Sequence, residues 1–74
     1  MREVDTAMLR YYMEKSGLKT IESLSNTSGI NRNTLSGVLS GKIFPSSDVM
    51  SRLITALDIP VEEAGSIFFK VKLA

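Results

Sequence analysis

Helix-capping residues and glycines recur along this chain at intervals that suit a set of small helices separated by brief turns. Asp5 precedes a stretch closed by Gly17, Thr20 one closed by Gly29, Asn31 one closed by Gly41, and Ser46 one that breaks at Asp58-Ile59-Pro60. The side chain of Asp, Thr, Asn or Ser at an N-cap accepts from the free N–H groups of the first turn, and glycine readily adopts the left-handed conformation that ends a helix. The spacing predicts helices over Thr6 to Ser16, from after Lys19 to about Ser28, from Arg32 to about Ser40, from after Ser46 to the Asp58 break, and from about Val61 to Phe68. The fold class expected is all-α with five helices, in a single domain spanning residues 1–74. After the double Phe, residues 69–74 form a tail in which apolar and basic residues alternate, a pattern compatible with a short C-terminal strand.

Each segment carries one apolar stripe at the i, i+3, i+4 spacing of a buried helix face. Leu9, Tyr12 and Met13 form the first, Ile21 and Leu24 the second, continued by the small Ser25 and Ser28. Leu35, Val38 and Leu39 serve the third helix, and Val49, Leu53, Ala56 and Leu57 the fourth. Ile30 follows Gly29 as an apolar plug, Phe44 beside Pro45 reads as a loop anchor on the core, and Ile67 and Phe68 complete that core. Asp48 falls in the first turn of the fourth helix, where a carboxylate suits the helix dipole.

With neither cysteine nor histidine among 74 residues, disulfide staples, zinc fingers and imidazole bases are excluded, and no metal or cofactor is expected. The core must come from packing, for which a hydrophobic fraction of 43% is adequate. There is no run of about 18 apolar residues that could span a membrane, and Glu3 and Asp5 stand where a signal peptide would be apolar. A cytoplasmic chain is the expectation. Glu62 and Glu63, the one adjacent pair of carboxylates, point about 100° apart on a helix. They read as surface charge, and no enzyme activity is expected.

A net charge of +1 looks poor for a nucleic-acid binder, but distribution matters more than the sum. No acid occurs between Glu22 and Asp48, while Arg32 and Lys42 lie inside that gap. The second and third segments, joined by a tight glycine turn, have the form of a helix-turn-helix unit over about residues 20–40. A DNA major groove about 12 Å wide admits one helix, and the outward residues near the start of the third segment are Arg32, Asn33, Ser36 and Gly37. An arginine can pair with guanine O6 and N7, and an asparagine with adenine N6 and N7. A glycine inside a helix costs about 1 kcal/mol against alanine, which close approach of the Gly37 backbone to a base would explain.

The stretch from Thr20 through Gly29-Ile30-Asn31-Arg32 to Ser36 resembles the Cro/CI-type (XRE-like) helix-turn-helix family. Gly37-Val38-Leu39-Ser40-Gly41-Lys42, Pro45-Ser46, Leu53, Ala56-Leu57, Ile59 and Val61-Glu62-Glu63 continue the likeness over roughly residues 6–68. The compact size and the closing Ile67-Phe68-Phe69 look most like the small phage and prophage regulators of that family. The resemblance implies a five-helix Cro/CI-type domain that binds double-stranded operator DNA to regulate transcription. It also implies a base-reading role at Arg32 and phosphate contacts from Thr20, Thr34, Ser40, Lys42 and Ser46. Three positions depart from the family pattern: Ile21 stands where many members have a glutamine on the DNA backbone, Ser25 where alanine is usual, and Ser28 where an apolar residue precedes the turn glycine. The apolar end, with Phe69, Val71 and Leu73, is the candidate surface for a homodimer or a partner regulator. The alternative function is a protein-interaction module that, like an antirepressor, binds another regulator through such a surface.

Overall fold

The computed structural model describes residues 2–71. The elements run β1 (Arg2–Glu3), α1 (Thr6–Ser16), α2 (Ile21–Ser28), α3 (Arg32–Leu39), α4 (Ser47–Leu57), α5 (Val61–Phe68) and β2 (Lys70–Val71). The fold is all-α as expected, with α3 ending one residue early because Ser40 is its C-cap. β2 pairs antiparallel with β1, Arg2 opposite Val71 and Glu3 opposite Lys70. Nothing in the sequence announces β1, since two residues are too few to show a period. The ladder is supported from inside, where Asp5 N–H donates to the Ile67 carbonyl at 2.7 Å.

The caps work as their residue types dictate. Asp5 Oδ1 accepts from Met8 N–H at 3.2 Å, and Ser46 Oγ from Val49 N–H at 3.2 Å. Thr20 and Ser23 form a reciprocal capping box, Thr20 Oγ1 accepting from Ser23 N–H and Ser23 Oγ accepting from Thr20 N–H. Each such cap stabilises a helix by about 1 kcal/mol, a useful share in a domain this small.

One core joins all five helices. Leu9, Tyr12 and Met13 of α1 meet Leu24 of α2, Leu35 and Val38 of α3, Leu53 and Leu57 of α4, and Ile67 and Phe68 of α5. Ile30 and Ile59 enter from the turns, each 4% exposed. Helix α2 packs on α3 and α4, while α1 lies against α3, α4 and α5, so the α2–α3 pair is backed on its inner side. Among the described residues no helix is long and apolar enough to cross a membrane.

Two sequence expectations need correction. Phe44 does not anchor its loop in the core. Its side chain is about half exposed and its ring lies 5.9 Å from that of Phe69, while Pro45 beside it is buried. A proline carries no N–H to leave unsatisfied, so it enters an apolar site at little polar cost. Glu63 is not simply surface charge either, because it accepts a hydrogen bond from the Tyr12 hydroxyl and so ties α5 to α1.

The Tyr12–Glu63 contact has a pH signature. The carboxylate holds the phenol proton, and burial adds to the effect, so the Tyr12 pKa is pushed up from 10.0 to about 12. A group whose folded pKa is raised contributes stability that is complete below the unfolded value and is lost as pH rises through the folded one. The stability advantage of wild type over Tyr12→Phe should therefore hold up to about pH 10 and shrink toward about pH 12. Urea midpoints of both proteins across that window check it, and a difference that does not change with pH would mean the hydrogen bond contributes nothing.

Candidate nucleic-acid interface

The turn between α2 and α3 is fixed by side chains from three directions. Gly29 takes φ +75°, which a residue with a Cβ rarely adopts, and its N–H closes on the Ser25 carbonyl at 2.9 Å. A Cβ there would also lie 3.0 Å from Arg52 Nη1. Arg52, on α4, donates to the Ser28 carbonyl at 3.3 Å and is held by Asp48 one turn earlier at 2.9 Å. The two serines that depart from the family pattern bracket the plug: Ser25 Oγ donates to the Ile30 carbonyl at 2.6 Å, and Ile30 N–H donates to Ser28 Oγ at 3.2 Å. Both hydroxyls thus satisfy backbone groups of a buried residue that would otherwise be costly to leave unpaired.

Helix α3 is held at both ends. Asn31 Oδ1 accepts from Asn33 N–H at 2.7 Å at its start. At its end Arg10 of α1 donates to the Leu39 carbonyl at 3.4 Å, where a cation suits the negative end of the helix dipole. Leu35, Val38 and Leu39 are buried, so the helix cannot rotate without exposing core. Arg32, Asn33 and Ser36 are exposed on its outer side. Asn31, Arg32 and Asn33, with Ser25 of α2, line an open groove at the start of the helix.

The expectation for Gly37 changes. Its glycine character is explained inside the molecule, because a Cβ would lie 2.2 Å from Ile43 Cδ1 and 2.6 Å from Ile43 Cγ1. The loop after α3 winds back on this residue: the Gly37 carbonyl accepts from Lys42 N–H at 2.9 Å, Ile43 N–H at 3.1 Å and Ser40 Oγ at 3.1 Å. Ile43 therefore occupies the direction from which a base would approach along that Cα–Cβ vector.

The other sequence-selected residues lie within α3 (Thr34), at its C-cap (Ser40), in the loop that follows (Lys42) and at the N-caps of α2 and α4 (Thr20 and Ser46). Thr20, Ser40, Lys42 and Ser46 are exposed and Thr34 is half-buried. The hydroxyls of Thr20 and Ser46 already act as caps; Thr20 Oγ1 also donates its one proton to Ser23 Oγ at 3.0 Å, whereas the Ser46 hydroxyl keeps a donor for a phosphate oxygen. Lys42 projects from the loop folded onto Gly37, which keeps a flexible cation beside the helix. Phe69 and Val71 are 42% and 61% exposed, with the Phe69 ring beside Phe44 of the loop that carries Lys42, and Leu73 falls outside the described residues.

The electrostatics of α3 are unusual in one respect. Its first turn holds no acid, and its first residue is a cation, although the N-terminus of a helix favours negative charge. The acid-free gap read from the sequence is narrower in space than along the chain, since Glu22 Oε1 lies 3.9 Å from Arg32 Nη1. That contact spans two helices, and no local sequence rule announces it. The Asp48–Arg52 pair, by contrast, is legible as an i, i+4 spacing.

Two short helices locked by a left-handed turn, the second presenting polar side chains at its start and both braced by flanking helices, define a helix-turn-helix unit. Residues 8–66 match the family of Cro/C1-type HTH DNA-binding domains, and the chain belongs to that family. Its class of activity is DNA binding in transcription regulation. No curated protein and no solved structure matched the chain.

Proposed function

We propose that the chain acts as one domain that binds a specific duplex operator in the cytoplasm, at the nucleoid, as a repressor or Cro-like regulator of the small phage or prophage type. The observation that carries this reading is the exposed Arg32 at the first position of α3, a cation at a helix end that favours anions. In this reading Arg32, Asn33 and Ser36 read base edges, and Gly37 contributes at most its backbone. Thr20, Thr34, Ser40, Lys42 and Ser46 hold phosphates, which set register and supply affinity without sequence information. Lys42→Ala should weaken binding to all duplexes alike and lower the salt slope by about one. Binding measured over a salt series checks this, and a slope equal to that of wild type would remove Lys42 from the interface.

A single unit of this size contacts few base pairs, which favours two-fold pairing on half-sites about 34–36 Å apart. The exposed Val71 and the Phe44–Phe69 ring contact support a homodimer through this end of the molecule. Phe69→Asp should then abolish a weak dimer formed on operator DNA, as read by sedimentation. If both proteins bind one half-site equally well as monomers, the dimer is wrong, and the same apolar end favours docking of a partner regulator, the antirepressor-like alternative.

A further inference from the structure

We propose that Glu22 is a positioning residue for Arg32, and that it makes operator recognition more selective; the inference rests on the reading of Arg32 as the base-contacting side chain. Glu22 is the only acid between Glu14 and Asp48, and the fold brings it from the first turn of α2 to within 3.9 Å of the Arg32 guanidinium. Both side chains are 68% exposed. An exposed ion pair of this kind adds little to folding, and a carboxylate beside a polyanion-binding helix opposes affinity. A carboxylate in the first turn of α2 suits that helix's dipole whichever way its side chain leans; the dipole leaves unexplained why it rests beside the one cation of the recognition helix, and selectivity accounts for that placement.

The chemistry of the contact is specific. A guanidinium offers five N–H donors in a rigid plane, and guanine uses two of them. Glu22 lies on the Nη1 side, which leaves the edge formed by Nε and Nη2 for a bidentate pair with O6 and N7. An untethered arginine must give up rotamer freedom to form that pair, and it can instead swing onto the nearest phosphate. The carboxylate restrains the swing and repels a phosphate from the same guanidinium. It thus penalises non-specific contact more than contact with a guanine edge.

The test compares Glu22→Gln, Arg32→Ala and the double variant on the preferred duplex, on the same duplex changed at the guanine that Arg32 reads, and on random duplex DNA. Glu22→Gln should raise affinity for random duplex and cut the guanine preference about two- to fivefold, the coupling range of an exposed ion pair. In the Arg32→Ala background it should leave the base preference unchanged. An equal gain on all duplexes with the preference intact would overturn the proposal, leaving Glu22 a general repulsive charge. So would a lowered Tm with unchanged base preference, the result of a role confined to the α2 dipole. If Arg32→Ala itself removes no single-base preference, the reading of Arg32 has failed first, and that arm identifies it.

Discussion

Arg32→Ala is expected to abolish discrimination at one guanine of the bound sequence, a loss of about 1–3 kcal/mol confined to that base pair. Because 1.4 kcal/mol is a factor of ten, the preference should fall between about fivefold and about 150-fold. The protein should remain folded. Arg32 is exposed, it is the first residue of α3, and its ion pair with Glu22 is long and solvated. Removing a cation from the positive end of a helix dipole is neutral or mildly stabilising. A bound sequence selected from a random duplex pool, followed by titration of each single-base variant, makes the measurement. Uniform weakening across every variant would reduce Arg32 to a phosphate contact and leave the recognition helix without a charged base reader.

Phe68→Ala is expected to have the largest effect on stability, about 3–5 kcal/mol, through lost burial and the cavity left behind. Phe68 is 1% exposed, closes α5 and meets the core beside Ile67. A small domain has roughly 5–15 kcal/mol in total, so the variant should sit near the edge of folding at ambient temperature. The next residue provides the control. Phe69 is 42% exposed, and Phe69→Ala should cost less, about 1–2 kcal/mol, because much of its side chain is already in water. Urea midpoints of the two variants decide it, and equal losses would show that the end of α5 packs differently from the described arrangement.

Phe68 and Phe69 illustrate how far helical spacing alone reaches. Helical spacing assigns Ile67 and Phe68 to the core and leaves Phe69 to the tail, which is what the structure has. The same reading assigned Phe44 to the core because it stands beside a proline in a short loop. That inference failed because a loop residue has no period to say which way it faces. Glu63 was misread for a related reason, since its partner Tyr12 lies on another helix 51 residues away.

What the sequence determined by itself is the set of helices and their inner faces. Caps such as Asp5, Thr20, Asn31 and Ser46 act on N–H groups two or three residues onward, and the glycine at 29 acts on its own φ. These are local effects, as is the apolar spacing that buries Leu24, Leu35, Leu53 and Leu57, so they are written in neighbouring letters. The tertiary structure alone decided how the turn and the recognition helix are held. Arg52 reaches the Ser28 carbonyl across 24 residues and Arg10 reaches that of Leu39 across 29. Ile43 fills the space that makes Gly37 a glycine, and Glu22 comes to rest beside Arg32. Each of these depends on the angle and distance at which two helices or a loop pack, and a difference of a few ångströms there makes or removes the contact.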